Sequence, residues 1–183
     1  DSKDEMGLSK LAYQFLGGLV HSADALCAVF NPTVNSYKRI NASVTLSGAT
    51  WSPNTISYSG NNRTHMIRIP EAGRFELRLM DGAANPYLLQ AGVLAAGLDG
   101  VANKRDPGPR LDINMYEEGH RLKRIKRLPL NLLDAVRLMD RSKVVTEGLG
   151  KEFVNAYTNL KLDEWGRYAK SLSRWELDNT LDC

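Results

Sequence analysis

The sequence lacks the features that mark secreted, membrane-spanning and zinc-cluster proteins. Its 183 residues include only two cysteines, Cys27 and Cys183, too few for a disulfide framework or for a zinc site made of several thiolates. The longest apolar run, residues 88–101, is interrupted by Gln90 and Asp99 and falls short of the roughly 20 residues that a membrane-spanning helix needs. We therefore expect a reducing, cytoplasmic location and no membrane partner.

A strong net charge is also missing. The 24 Lys and Arg residues exceed the 21 Asp and Glu residues by a formal charge of only +3, too little for the long-range field that attracts most nucleic-acid-binding proteins. The densest basic run, residues 121–127, has no aromatic side chains between its cations. A solvated loop or helix face is the favoured interpretation of this run, and a salt-sensitive nucleic-acid site is the alternative. We expect no nucleic-acid partner.

The apolar and turn-forming residues predict an α+β fold, in which short antiparallel strands precede a mostly helical half. Residues 8–30 have helical periodicity, and residues 34–58 resemble loops joined to short strands. A hairpin is predicted from residues 65–69 and 74–79, with its turn at residues 70–73. Asn85 and Pro86 should begin a buried helix that runs to Val101. Two more helical patterns cover residues 131–141 and 150–175.

One predicted strand alternates charged and apolar residues. If residues 74–79 are extended, Arg74, Glu76 and Arg78 share one face while the apolar residues between them face the core. An exposed strand face with self-neutralising charges is the simplest interpretation of such a pattern. However, the preceding strand of the hairpin carries Arg68, and Arg63 precedes it, so four arginines and one glutamate should converge there. Planar guanidinium groups suit phosphates and carboxylates, and Glu76 could ligate Mg²⁺.

In order and spacing, the motifs around this hairpin resemble those of the glutamine synthetase family. The matching segments are residues 31–39 (NPTVNSYKR), 62–70 (NRTHMIRIP), 74–78 (RFELR) and 81–88 (DGAANPYL). Shorter matches follow at residues 97–100, 128–129 and 173–176, so the resemblance covers nearly the whole chain. It implies the C-terminal part of the family's catalytic domain, in a branch that also includes the glutamate–methylamine ligases.

The resemblance also implies a role for each charged residue of the cluster. Arg39 and Arg78 would bind the glutamate carboxylates, and Arg63 would assist phosphoryl transfer. Arg68 and Arg74 would bind ATP phosphates, and Glu76 would ligate one active-site Mg²⁺ or Mn²⁺. The implied reaction phosphorylates the γ-carboxylate of glutamate and then lets ammonia displace the phosphate. A γ-glutamyl-alkylamide synthetase and a non-catalytic module that binds anions or nucleotides are the alternatives.

The sequence departs from the family pattern in three places. No acidic residue occurs between Ile40 and Arg63, where bacterial members carry an ammonium-binding glutamate, and this longer segment contains Trp51 instead. An uncharged, aromatic segment could accept an alkylamine, although an insertion without any role in specificity is equally compatible. The turn before Arg74 is short and lacks a lysine near the nucleotide. Tyr116 aligns with a tyrosine that some members adenylylate, but we expect an unmodified surface residue.

The family's N-terminal β-grasp domain and its other metal-binding glutamates have no counterpart in this sequence. We therefore expect residues 1–183 to be a C-terminal fragment of a catalytic domain, inactive alone and active within a longer protein, called here the full-length parent. By resemblance, the parent should form a ring-shaped homo-oligomer.

Overall fold

The fold is described from a computed structural model, which covers residues 1–42 and 52–180. Its longest helix, α1, spans Lys10–Phe30. The Ser9 side chain caps α1 by accepting a hydrogen bond from the backbone N–H of Ala12, and the helix ends at Asn31. The predicted helix over residues 8–30 is confirmed, with its start two residues later because Ser9 is the cap.

Three short strands form the sheet beside the site, in the order β1-β2-β3. Strand β1 is Tyr58–Ser59, β2 is Ile67–Glu71 and β3 is Arg74–Leu77. Strands β2 and β3 form the predicted antiparallel hairpin. Strand β2 lies two residues later than predicted, and β3 begins as predicted but ends two residues earlier. The turn between them has only two residues, Ala72 and Gly73. Strand β1 pairs with β2 in parallel, so the expectation of antiparallel strands alone is incomplete.

The segment before the sheet contains a helix that was not expected. Residues 34–58 were predicted as loops with short strands, but α2 spans Ser36–Ile40. The proposed specificity residue Trp51 lies outside the described residues.

The second half of the chain is helical, as predicted, but it is divided more finely. Helix α3 spans Pro86–Ala102 and is capped by Asn85 as expected. The pattern over residues 131–141 is α4 (Leu132–Arg141). Helix α5 (Lys143–Leu149) lies between the two predicted patterns and was not expected. The pattern over residues 150–175 divides into α6 (Lys151–Ala169) and α7 (Arg174–Thr180). A short 3₁₀ turn, Gly119–Arg121, opens the basic run, whose Lys126 pairs with Asp24 at 2.6 Å.

Helices α1 and α3 cross in unusually close contact. A Cβ atom added to Gly18 would lie 1.9 Å from the Ala96 carbonyl oxygen, and one added to Gly100 would lie 2.6 Å from the Gly18 nitrogen. The prediction of a buried α3 is only partly right. Its small residues face α1, whereas Leu94 and Leu98 are 54% and 59% exposed.

The core lies between α1, the sheet and helices α3 to α6. Cys27 is fully buried in it, and burial raises the pKa of its thiol. Among the described residues, no helix combines the length and the apolarity that crossing a bilayer would require.

Candidate active site

The hairpin register brings Arg68 and Glu76 directly opposite each other on β2 and β3. Arg68 Nη1 donates to Glu76 Oε2 at 2.9 Å, and Arg68 Nε donates to Asn61 Oδ1 at 2.9 Å. The register shifts by one residue between Arg68 and Glu71, at Pro70, which has no N–H group for the sheet. The predicted alternation is confirmed: Phe75 and Leu77 pack against the core, on the face opposite to Glu76.

Arg78 continues the line of charges just beyond the end of β3. Its Nε lies 3.2 Å from Glu76 Oε1, so the two arginines of the hairpin pair with different oxygens of one carboxylate. Its Nη1 donates to the backbone carbonyl oxygens of Arg63 and His65. The Arg78 side chain is only 14% exposed, and burial lowers the pKa of its guanidinium.

Arg39 reaches the same place from helix α2. Its Nη2 donates to Asn31 Oδ1 at 3.1 Å and to the carbonyl oxygen of Leu79. The fully buried Asn31 also donates from Nδ2 to the Leu79 carbonyl oxygen at 3.0 Å. Asn31 therefore ties the end of α1 to Leu79, which is adjacent to Arg78, and brings Arg39 to the end of β3.

Burial makes the Arg39 environment costly for a cation. Burial is the main cause that lowers the pKa of the Arg39 guanidinium, and repulsion from Arg78 adds to it. Its Nε is buried and has no hydrogen-bond partner among residues 1–42 and 52–180. A buried N–H group without an acceptor costs free energy, so Arg39 is poised to bind an anionic ligand.

The remaining predicted residues differ in their placement. Arg63 is exposed and close enough to Arg78 for the two charges to repel each other. Arg74 is not joined to the cluster: it is exposed at the hairpin turn, where its Nε pairs with Glu71 Oε1 at 3.0 Å. The structure thus brings together Arg39, Arg63, Arg68, Glu76 and Arg78, but not all four hairpin arginines as expected.

Glu76 fits the requirements for one ligand of a divalent metal. Its side chain is 43% exposed, and each carboxylate oxygen accepts from one arginine while a further lone pair remains on each. Across the described parts of the chain, no three His, Cys, Asp or Glu side chains converge as a metal site would require. In the cluster, the described residues therefore offer Glu76 as one hard oxygen ligand, and a complete metal site would need further ligands.

Tyr116 approaches the cluster from a distant segment. Its hydroxyl donates to the Ser52 carbonyl oxygen at 2.9 Å, and burial raises the pKa of the phenol. Electrostatic interactions couple Tyr116 to Arg39 and Arg78. The side chain is half-buried, so the expectation of a surface tyrosine is only partly right, and its being unmodified stays a prediction.

Two groups of residues at the site were missed as functional candidates. The first is Asn31 and Asn61, whose carboxamides orient Arg39 and Arg68. The second is Asn62, Thr64 and His65, which bind the distant segment 113–115. All of these residues except Asn61 belong to the matching motifs, but no spacing signal identifies them. The partners of Asn62, Thr64 and His65 are 48 to 51 residues away in sequence.

Comparisons with known proteins agree with the family resemblance of the sequence motifs. Residues 1–180 match the family model described as the glutamine synthetase catalytic domain. The chain is 57% identical over 182 residues to a glutamine synthetase of Rhizobium meliloti (strain 1021), and 45% identical over 187 residues to a glutamate–methylamine ligase of Methyloversatilis universalis. A solved GmaS–ADP complex superposes with a TM-score of 0.92 at 61% identity over 99% of this chain.

The matches span the whole of this chain but a smaller part of its relatives. All of this chain aligns with 42% of the Rhizobium enzyme and 42% of the Methyloversatilis enzyme, and 99% of it aligns with 42% of the GmaS chain. The family match, the relatives and the fold are consistent with the motifs around the hairpin. The chain therefore belongs to the glutamine synthetase family.

Proposed function

We propose that the full-length parent is an ATP-dependent ligase that joins ammonia to the γ-carboxylate of glutamate. The γ-carboxylate oxygen attacks the γ-phosphorus of ATP, ADP leaves, and γ-glutamyl phosphate forms. The ammonia nitrogen then attacks the acyl carbon, inorganic phosphate leaves, and the nitrogen loses a proton to give the amide. Both steps build negative charge beside the cluster of arginines described above.

The proposal rests on the placement of Arg39 and Arg78 together at the end of β3. Both guanidinium groups are mostly buried and are oriented by backbone carbonyl oxygens, and Arg39 keeps a buried N–H group without an acceptor in the described chain. A carboxylate supplies two acceptor oxygens and a compensating charge. We assign Arg39 and Arg78 to the carboxylates of glutamate.

The residues next to this pair suit phosphate and metal binding. We assign Arg68 to ATP phosphates, together with Arg74, which lies outside the cluster at the hairpin turn, and we assign exposed Arg63 to the transferring phosphoryl group. Glu76 would ligate Mg²⁺ or Mn²⁺, and the bound ion would neutralise charge on the phosphate oxygens. The ion pair between Glu76 and Arg68 keeps the metal ligand next to a phosphate-binding group.

Release of phosphate by the full-length parent tests the proposal. The assay contains glutamate, ATP and Mg²⁺, with ammonium in one arm and no amine in another. We expect phosphate release that depends on both glutamate and ammonium. Nucleotide binding without phosphate release for any amine would instead identify a non-catalytic anion-binding module.

Methylamine is the second candidate for the amine. The segment between Ile40 and Arg63 has no carboxylate to bind or deprotonate ammonium, and an uncharged segment suits a methyl group. The similarity to GmaS and to a glutamate–methylamine ligase also supports this candidate. The ratio of kcat/KM for methylamine to that for ammonium decides between the two, and a ratio above one would replace ammonia in the proposal.

We also propose, from family membership, that the parent is a cytoplasmic, ring-shaped homo-oligomer. Mass photometry of the purified parent at nanomolar concentration tests the assembly, and a monomer there would contradict it.

A further inference from the structure

Three hydrogen-bonding residues on either side of Arg63 join this region to a distant segment of the chain. Asn62 Nδ2 donates to the Ile113 carbonyl oxygen at 2.9 Å, and His65 Nε2 lies 3.0 Å from the same oxygen. The backbone N–H of Met115 donates to Thr64 Oγ1 at 3.0 Å. We call residues 62–65, together with the segment 113–115 that they bind, the cross-segment clamp.

His65 is the most buried member of the clamp. Its exposed fraction is 0%, and both ring nitrogens have partners. A carbonyl oxygen only accepts, so Nε2 must carry a proton and donate to Ile113. Burial lowers the pKa of His65 and keeps the ring neutral, so Nδ1 accepts from the Ser57 hydroxyl at 3.0 Å.

The clamp is connected to the glutamate-binding pair through the backbone. Arg78 Nη1 donates to the carbonyl oxygens of Arg63 and His65, the residues on either side of Thr64. Thr64 is fixed in turn by Asn62 Oδ1, which accepts from its N–H at 2.9 Å and from its hydroxyl at 2.8 Å. Any movement of residues 62–65 would therefore move two of the acceptors that orient Arg78.

We propose that His65 is a positioning residue, which holds the backbone of residues 63–65 so that their carbonyl oxygens orient Arg78 toward glutamate. This inference rests on the proposed function, because glutamate is the ligand that Arg78 is assigned to bind. His65 does not touch the substrate in this scheme. It acts through two backbone carbonyls, and its effect should therefore appear in glutamate affinity more than in ATP affinity.

Steady-state kinetics of His65→Ala and His65→Gln in the full-length parent test this role. We expect His65→Ala to raise the KM for glutamate about tenfold, the effect of losing one buried hydrogen-bonded group, with the KM for ATP changed less than twofold. The carboxamide nitrogen of glutamine can replace Nε2 as the donor to Ile113. His65→Gln should therefore restore the glutamate KM to within about threefold of the wild-type value.

Met139→Ala provides the matched control for general destabilisation. Met139 is fully buried in α4 and is not part of the clamp or the charged cluster. The Met139→Ala variant should have a lower melting temperature, as His65→Ala should. Below that temperature its KM values for glutamate and ATP should both be unchanged. If His65→Ala does not fold, Thr64→Val removes the acceptor for Met115 with little change in volume and should also raise the glutamate KM several-fold.

Each result supports or overturns the positioning role. The role is overturned if His65→Ala leaves the glutamate KM unchanged, or if Thr64→Val does so when His65→Ala cannot be folded. It is also overturned if His65→Gln fails to restore the glutamate KM. Equal increases in the KM values for glutamate and ATP would also overturn it. If the wild-type parent itself releases no phosphate, the proposed function fails first and the positioning role fails with it. Wild-type turnover thus separates the two failures.

Discussion

At the scale of single residues, the site depends on how its cations are neutralised. Arg68 and Arg78 share the carboxylate of Glu76, whereas Arg39 is held by neutral oxygens of Asn31 and Leu79. Neutral acceptors orient a guanidinium without cancelling its charge. The carboxylate of Asp81 also attracts Arg39, but the oxygens that orient Arg39 are neutral and leave it able to pair with an anionic ligand, while Glu76 holds its two neighbours close together despite their repulsion.

Replacing Glu76 should separate metal binding from folding. We expect Glu76→Gln in the full-length parent to reduce kcat at least about 100-fold, because a carboxamide is a poor ligand for Mg²⁺ and charge on the phosphate would be less neutralised. The measurements are phosphate release and the Kd for Mn²⁺ by electron paramagnetic resonance.

Glu71→Gln is the matched control, since Glu71 also pairs with an arginine but lies exposed at the hairpin turn. It should change kcat less than about twofold, as expected for a surface ion pair. Near-normal turnover in Glu76→Gln would refute its assignment as a metal ligand.

Protonation of His65 should make stability depend on pH. Burial lowers the pKa of His65 in the folded chain, whereas the unfolded chain has an ordinary histidine pKa of about 6.5. As the pH falls, the unfolded chain therefore takes up a proton first. The free energy of unfolding should therefore decrease below about pH 6.5, by at most about 1.4 kcal/mol per pH unit for this one group. Urea unfolding of the chain at several values between pH 7.5 and 5.5 measures this slope.

Two histidine variants identify the source of the slope. His65→Gln should flatten it, since the buried titrating group is gone. Partial burial and the nearby Arg105 also lower the pKa of His21. Most of that residue is exposed to solvent, however, so His21→Gln should have the smaller effect on the slope. A His65→Gln variant with the wild-type slope would show that His65 does not carry the pH dependence.

At the scale of elements, the crossing of α1 and α3 is linked to the charged cluster through the end of α1. Gly18 and Gly100 allow the two backbones to touch, and the end of α1 meets the turn after β3, where the Asp81 N–H donates to the Phe30 carbonyl oxygen at 3.1 Å. The helix pair therefore sets the position of Asn31 beside Leu79.

Glycine substitutions test this crossing with an internal control. Gly18→Ala would place a Cβ atom 1.9 Å from a backbone oxygen, and should destabilise the chain by about 2 to 3 kcal/mol because one helix must shift. Gly166 lies inside α6 with no atom within 4 Å of an added Cβ, so Gly166→Ala should stabilise it by about 0.5 to 1 kcal/mol. Chemical denaturation measures both changes, and equal effects would contradict the close crossing.

The elements that were predictable from sequence are those with local signals. Helical periodicity marks α1, the Asn85 cap marks α3, and the alternation of charged and apolar residues marks β3 of the hairpin. Strand β1 has only two residues and gains its identity from parallel pairing with β2, which no local pattern encodes. Helix α5 was not predicted, and Gly150, whose φ of 92° a helix cannot contain, separates it from α6.

At the scale of the whole molecule, the charged cluster combines residues from four separate parts of the chain. The resemblance to family motifs identified six site residues. The structure brings five of them together, Arg39, Arg63, Arg68, Glu76 and Arg78, and leaves Arg74 at the hairpin turn. The cross-segment clamp was not predictable, because His65 contacts Ile113 across 48 residues of sequence. Long-range hydrogen bonds leave no periodic pattern, so only the fold reveals them.

The isolated chain should bind metal weakly and release no phosphate. Only Glu76 is available as a metal ligand in the cluster, and the described residues contain no group of three candidate ligands. A single carboxylate is a poor site for a hard divalent ion. We expect the 183-residue chain to bind Mn²⁺ at least about 100-fold more weakly than the full-length parent, measured by isothermal titration calorimetry. Equal affinities would show that this segment holds a complete site.

The contact between Asn31 and Leu79 restricts insertions and deletions within helix α1. Deleting one codon between Gly18 and Asn31 would turn the end of α1 by about 100° and shorten it by about 1.5 Å relative to the crossing. The Asn31 carboxamide would then point away from Leu79 and leave Arg39 without its support. Insertions and deletions should therefore be excluded from this stretch of the helix, in which only His21 is exposed.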